Sequence, residues 1–165
     1  MKRFLLPVLI LSGLAIRATA QDSTPVPQFE GFYLVEDGGF IDIREAKQTQ
    51  KYALAGVFGF TEDSMMILTR TESPRPTFIA YGVSVSSEIT RLVLTPHYFD
   101  KMWGYIPALW KSADAIRLRV ARIAGQDDMR RLVPERDLAP GVYAIGGPSF
   151  GGAFLIQIAE ATEAE

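Results

Sequence analysis

A short glycine-rich segment matches the pattern that surrounds the nucleophilic serine of many hydrolases. Residues 147–151 read Gly-Pro-Ser-Phe-Gly, which is G-x-S-x-G with Ser149 at its centre. That chemistry needs a strand, a sharp turn and a helix, with an acid and then a histidine after the serine. Here residues 153–158 have a β pattern, and the single histidine, His97, precedes the serine. The segment is therefore predicted to be a glycine-rich hairpin loop.

His97 and Asp100 form the one histidine–carboxylate pair that is close in the sequence. Such a pair can act as a general base with its orienting acid, or as half of a metal site. One histidine and no cysteine exclude histidine-rich and thiolate metal sites, and no metal, phosphate-loop or dinucleotide motif is present. We predict a loop histidine at a strand end, with no metal and no cofactor. A small envelope hydrolase with a loop-built site near His97 is the alternative.

Aromatic side chains are concentrated between residues 97 and 110. Aromatic residues with a polar tip dominate many binding surfaces, so this segment is a candidate binding lip for a protein, a glycan or an apolar ligand. The alternative is a helix-and-loop cap that closes one end of a β core. The candidate binding residues are Tyr98, Phe99, Trp103, Tyr105 and Trp110.

Arginines make the stretch from residue 117 to residue 136 locally basic. Such a cluster can hold an anionic partner, for example a polysaccharide or a lipid headgroup. Four carboxylates lie in the same stretch, which favours mutual ion pairing on a solvated face. The arginines are Arg117, Arg119, Arg122, Arg130, Arg131 and Arg136, and the carboxylates are Asp127, Asp128, Glu135 and Asp137.

The first 20 residues have the three parts of a secretory signal peptide. Two basic residues at positions 2 and 3 precede an apolar run over residues 4–16, and Ala18-Thr19-Ala20 supplies a small-x-small cleavage pattern. An apolar run of this length covers about 20 Å, short of the roughly 30 Å hydrocarbon core of a bilayer. We expect cleavage after Ala20, a periplasmic or extracellular location, and no stable membrane span after cleavage.

Composition limits the class of protein further. A chain of 165 residues fits one ordinary domain. Three of its 17 basic residues lie in the predicted signal, so the rest carries 14 basic against 19 acidic residues, a net charge of −5. This acidic balance argues against a nucleic-acid partner. Because the chain has no cysteine, packing alone has to hold an exported domain together.

Strands have to position these residues. Two hairpins are predicted, one around Asp37-Gly38-Gly39 and one around the glycine-rich loop at 147–151. Both open with Gly-x-Tyr, at residues 31–33 and 141–143, which is a weak internal echo. Residues 44–50 are predicted to form a loop, and residues 127–137 are strongly charged. The predicted strands are 31–35, 40–43, 51–60, 64–70, 77–85, 89–95, 116–123, 141–146 and 153–158.

The segment from residue 97 to residue 115 departs from the β pattern. Its apolar residues recur at spacings of three and four, and Pro107 suits a first helical turn, which predicts a short helix over residues 107–115. The predicted fold is mainly β: a single-domain antiparallel β-sandwich or partly closed β-barrel of about eight or nine strands with one short capping helix. The predicted organisation is a signal peptide at 1–20, an extended lead-in at 21–28, a β-rich domain at 29–158 and an acidic tail at 159–165.

Together these observations favour a non-enzymatic, β-rich binding domain exported to a bacterial envelope. Its expected partner is a protein, a glycan or an apolar ligand. Besides the small hydrolase, a small outer-membrane β-barrel is an alternative. That class needs strands of about ten residues, and most of the strands predicted here are shorter.

Overall fold

The computed structural model describes residues 26–48, 59–102, 104–147 and 151–160. Several sequence predictions lie outside these ranges: the signal peptide, most of the lead-in, most of the strand at 51–60, Trp103, Ser149 and most of the acidic tail.

Strands make up most of the described chain, which confirms the mainly β fold class. One short helix, α1, accompanies them. The elements are β1 Gly31–Glu36, β2 Gly39–Asp42, β3 Glu45–Lys47, α1 Glu62–Met65, β4 Thr69–Thr71, β5 Thr77–Tyr81, β6 Glu88–Thr95, β7 Tyr98–Asp100, β8 Gly104–Ile106, β9 Leu109–Ile123, β10 Gln126–Pro134, β11 Gly141–Gly146 and β12 Gly152–Ile158.

Nine of the strands form one antiparallel path that curls into a half-barrel. Their order is β2-β1-β5-β10-β9-β6-β11-β12-β3. Strand β4 joins the same sheet by pairing in parallel with β12. Strands β7 and β8 form a separate two-stranded sheet. The predicted antiparallel fold is therefore confirmed, and of its two alternatives, a sandwich or a partly closed barrel, the sheet has the second.

The strand order is symmetric about the central β9–β10 hairpin. On one side β10 pairs with β5, then β1 follows with its hairpin partner β2. On the other side β9 pairs with β6, then β11 follows with its hairpin partner β12. The two hairpins that open with Gly-x-Tyr thus occupy corresponding places in the strand order, but Tyr143 belongs to the main core and Tyr33 to a separate apolar cluster.

The main core lies inside the curl of the sheet. Phe32 of β1 stacks on Phe78 of the neighbouring β5, with ring centroids 5.5 Å apart. It also stacks on Phe154 of β12, at 4.5 Å. Since five strands separate β1 from β12 in the sheet order, this second contact joins the two halves of the half-barrel. Such aromatic pairs add about 0.5–1.5 kcal/mol beyond the area they bury.

A second apolar cluster covers the other side of the β11–β12 half. Phe60 and Leu155 are buried in it, and Met65 of α1 packs against it. Phe60 exchanges two backbone hydrogen bonds with Trp110 of β9, each 2.9 Å long. Gly59 permits this approach, because a Cβ atom there would lie 2.8 Å from the carbonyl oxygen of Trp110.

The predicted position of the helix was wrong. Residues 109–123 form β9, because the chain at Leu109 pairs with Thr95 and continues the ladder with β6. The one helix in the described ranges is α1. It overlaps the beginning of the strand predicted at 64–70, and only the end of that predicted strand is observed as a strand, in β4. Within the same ranges, no helix has the length and apolar character needed to cross a bilayer.

Both predicted hairpins are present. Asp37 and Gly38 adopt φ angles of 50° and 75° in the first turn, as a two-residue hairpin turn requires. The strand predicted at 77–85 ends earlier, at Tyr81, where Gly82 has a φ of 64°. The predicted loop at 44–50 contains the short strand β3, and much of the charged stretch is strand β10.

Candidate functional site

The aromatic segment forms a small hairpin, β7–β8, which we call the aromatic hairpin. Phe99 and Tyr105 lie directly opposite each other in its register. The side chain of Asp100 accepts a 2.8 Å hydrogen bond from the N–H of Met102, and Gly104 takes a φ of 75° at the end of the turn. These local interactions shape the tip of the hairpin.

One face of the aromatic hairpin is anchored and the other is exposed. Ile106 of β8 and Leu109 just beyond it are 1% and 0% exposed, so the base is tied into the protein interior. Phe99 is 76% exposed, Tyr105 is 60% exposed, and Met102 at the tip is 81% exposed. A cap that closes the β core would bury such side chains, whereas here they face solvent.

The other candidate binding residues are placed differently. Trp110 lies in β9, is half-buried and packs against the second apolar cluster. Tyr98 is 38% exposed, and the ammonium group of Lys111 lies 5.7 Å from its ring centroid, a cation–π geometry. Trp103 lies outside the described residues. The structure therefore brings Phe99 and Tyr105 together and separates Trp110 from them.

His97 belongs to the aromatic surface. It is exposed, and its ring centroid lies 5.7 Å from that of Tyr105. Four surface depressions lined by described residues do not include it. Among the described residues, no group of three or more histidines and carboxylates is placed to hold a metal ion.

Two exposed apolar residues near the aromatic hairpin were not predicted as part of the binding surface. Val93 and Leu94, at the end of β6 that leads into it, are each 50% exposed. The run Leu92-Val93-Leu94 was a usable signal, because three consecutive apolar residues in a strand cannot all face the same side of a sheet.

The serine motif lies in a hairpin connection. Strands β11 and β12 pair in register up to Gly146 opposite Ala153, and a strand follows the motif where a nucleophile elbow needs a helix. Ser149 itself lies outside the described residues. The prediction of a hairpin here is confirmed by the flanking strands.

The arginine-rich stretch forms the β9–β10 hairpin. Arg119 and Arg131 from this hairpin, together with Arg75 from the chain before β5, line a depression of about 360 Å³. In the described part of the chain, no carboxylate approaches these three side chains within ion-pairing distance. The mutual ion pairing expected on this face is therefore not formed by them.

Each of the two hairpins that open with Gly-x-Tyr contains a buried tyrosine whose hydroxyl is hydrogen-bonded. The hydroxyl of Tyr33 donates to the carbonyl of Phe29, and that of Tyr143 donates to the carbonyl of Ala139; both bonds are 2.8 Å long and span four residues. Burial, and to a smaller extent the charge of Asp42, raises the pKa of Tyr33 above its ordinary value of 10.0. Because both hydroxyls have partners, we regard these tyrosines as structural.

The fold and the surface define a half-barrel from which an apolar hairpin projects. No family model, curated protein or solved structure matches the chain. The geometry of the described residues therefore carries the functional argument.

Proposed function

We propose that this protein is an exported, non-enzymatic binding domain that engages a protein partner through the exposed face of the aromatic hairpin. One observation carries the proposal: Phe99, Met102 and Tyr105 are 60–81% exposed on a hairpin whose other face is anchored. Large apolar side chains that are grouped on a protein surface commonly mark an interaction site.

The shape and chemistry of the hairpin favour a protein over the other partners considered. Small apolar ligands bind in concave pockets that bury most of their surface, whereas Phe99 and Tyr105 are 76% and 60% exposed. Aromatic residues and methionine are enriched in the centres of protein–protein interfaces, where charged residues are depleted. A projecting apolar hairpin fits a groove on such a partner.

The expected contribution of Phe99 follows from its exposure. A phenylalanine side chain buries about 150–250 Å², so the 76% that is exposed corresponds to about 110–190 Å² available to a partner. At about 25 cal/mol per Å², complete burial contributes at most about 3–5 kcal/mol. Association costs offset part of this gain, which leaves the roughly 2 kcal/mol of an interface hot spot, or about 30-fold in Kd.

Site-specific photo-crosslinking in the source cell tests the proposal. A photoreactive residue is placed at Phe99, at Tyr105 and, as a control, at Met66, which caps the end of α1 and is 83% exposed. We expect one protein adduct at the first two positions and none at Met66. Adducts of equal yield at all three positions, or none at any, would contradict the proposal.

Affinity measurements with the captured partner give the second part of the test. Met102→Ala and Met66→Ala remove the same side chain from two sites of equal exposure. Phe99→Ala should weaken Kd by about 30-fold, Met102→Ala should weaken it measurably, and Met66→Ala should leave it unchanged. If lipid vesicles or oligosaccharides bind through Phe99 in the absence of any protein adduct, the hairpin has a different partner and the proposal fails.

The export part of the proposal rests on the first 20 residues. A basic start, an apolar run and Ala18-Thr19-Ala20 are the features that a secretory signal requires. A chain without cysteine is also compatible with an oxidising compartment, because it has no thiol to mispair there.

A further inference from the structure

The depression on the β9–β10 hairpin is independent of the aromatic hairpin. Arg119 lies nine residues along β9 from Trp110, which is at the end nearer the aromatic hairpin. At about 3.3 Å per residue this is a distance of about 30 Å along the strand. The depression is lined by three arginines and three residues with small or apolar side chains: Arg75, Arg119, Arg131, Ala121, Val133 and Pro134.

Strand register explains how two of the arginines converge. Arg131 lies opposite Ala121, and Val133 lies opposite Arg119. Residues that are opposite, or two apart along a strand, project from the same face, so Arg119 and Arg131 occupy the diagonal of a four-residue square. Diagonal neighbours are about 7–8 Å apart, within reach of long side chains. The short side chains of Ala121 and Val133 leave open space between the two guanidinium groups.

The third arginine is held in place by the backbone. Arg75 donates from Nε to the carbonyl of Pro134 at 2.9 Å and from Nη2 to the carbonyl of Glu135 at 2.8 Å. These two bonds fix the plane of its guanidinium group at the rim of the depression. Its Nη1 group takes part in neither bond. A positioned arginine loses less conformational freedom when it binds an anion.

Charge distinguishes this depression from the rest of the surface. Three positive groups line it and no carboxylate does, although the whole chain has more acidic than basic residues. Within the described residues, none of the three arginines is ion-paired. Like charges that converge without a counter-charge repel one another, and a bound anion relieves that repulsion.

We propose that this depression binds a phosphoryl group. Guanidinium groups form paired, charge-assisted hydrogen bonds with phosphate oxygens. Donors that approach from three elements suit a tetrahedral group with several oxygens better than a single planar carboxylate. The phosphoryl group belongs either to a small soluble phosphate compound or to a lipid headgroup, and the two sources are separated by experiment.

Titration with inorganic pyrophosphate, followed by amide chemical shifts, tests the site on the purified protein. We expect saturable shifts centred on Arg119 and Arg131. The double variant Arg119→Gln/Arg131→Gln should weaken binding at least about tenfold, because it removes charged hydrogen bonds. The matched control is Arg117→Gln/Arg122→Gln, which removes two exposed arginines of the same strand that do not line the depression. Its affinity should change less than about twofold.

Vesicle sedimentation identifies the source of the phosphoryl group. Phosphatidylcholine vesicles are compared with phosphatidylcholine vesicles that contain phosphatidic acid. Binding to the second kind only, lost in Arg119→Gln/Arg131→Gln, assigns the site to a lipid headgroup; pyrophosphate binding without vesicle binding assigns it to a soluble compound. The proposal is overturned if neither probe binds, or if both double variants lose binding equally, which would indicate non-specific attraction. Variants of the aromatic hairpin should not affect either measurement, so the two proposals fail independently.

Discussion

The buried hydroxyl of Tyr143 should contribute a measurable part of the free energy of unfolding. Tyr143→Phe keeps the ring, which is 1% exposed, and removes the donor that lies 2.8 Å from the carbonyl of Ala139. The bond is partly buried: a net hydrogen bond between neutral groups contributes about 0.5–1.5 kcal/mol, and an acceptor left without its donor costs up to about 3 kcal/mol when it is fully buried. We therefore expect the free energy of unfolding to fall by about 1–2 kcal/mol.

Tyr33 provides an internal comparison for this prediction. Its hydroxyl makes a bond of the same length and the same span, to the carbonyl of Phe29, but the residue is 8% exposed. Tyr33→Phe should therefore cost slightly less, about 0.5–1.5 kcal/mol. The two tyrosines belong to separate apolar clusters, so the effects in the double variant should add within about 0.5 kcal/mol.

Urea unfolding followed by far-ultraviolet circular dichroism measures these changes. The midpoint should move while the slope of free energy against urea stays constant, and the melting temperature should fall by about 2–4 °C per kcal/mol. Tyr105→Phe is the control, because Tyr105 is 60% exposed and its expected change is within about 0.5 kcal/mol. If Tyr143→Phe is no more destabilising than Tyr105→Phe, the hydroxyl–carbonyl bond does not stabilise the hairpin and the reasoning is wrong.

Two further predictions concern pH and export. The pKa of Tyr33 is raised above 10.0 in the folded protein, so the unfolded chain loses the phenol proton at a lower pH than the folded chain does. The contribution of Tyr33 to the free energy of unfolding is therefore fully present below about pH 10 and is lost as the pH rises through the folded-state pKa. Urea midpoints on either side of that pH should show this decrease in the wild type and a smaller one in Tyr33→Phe, and equal decreases would contradict the assignment. Mass spectrometry of protein recovered from the envelope should find Gln21 at the N-terminus, and retention of Met1 would refute cleavage after Ala20.

Local chemistry explains why both hairpins were predictable from the sequence. A two-residue turn needs positive φ at both central positions, and Asp37-Gly38 is among the few dipeptides that accept it. The alternating apolar residues on either side then set the register. Strand β6, predicted at residues 89–95, is present at Glu88–Thr95, although its pairing with β9 shifts register between Thr90 and Leu92.

Tertiary pairing explains the wrong helix. The spacings of three and four between residues 97 and 110 suggested a helical face, but the turn of the aromatic hairpin interrupts the alternation of two short strands and produces the same spacing. Leu109 then enters β9 because β6 offers a free edge, with Thr95 opposite it. No residue near position 109 encodes that edge. Likewise, β10 was hidden because charged residues surround its buried Met129 and Leu132.

The candidate sites were predictable to different degrees. Composition alone identified the aromatic segment, since Phe99 and Tyr105 lie close together in the chain. Composition could not show that Trp110 is placed differently from these two residues, because the backbone of Trp110 is hydrogen-bonded to Phe60, which lies far upstream in the chain. The arginine depression was predictable only in part: the sequence places Arg119 and Arg131 in a basic stretch, but Arg75 meets them only through the order of strands in the sheet.

The stacking of Phe32 on Phe154 has a consequence for how the chain is made. A ribosome releases β1 early, but the ring that completes its contact at 4.5 Å belongs to β12. The β9–β10 hairpin can form as a local unit, whereas the pairs that flank it join segments far apart in the chain and close slowly. The interior of the curl therefore stays open to water until β12 has left the ribosome. The chain that precedes β12 is exposed for longer than it would be in a domain held together by local contacts.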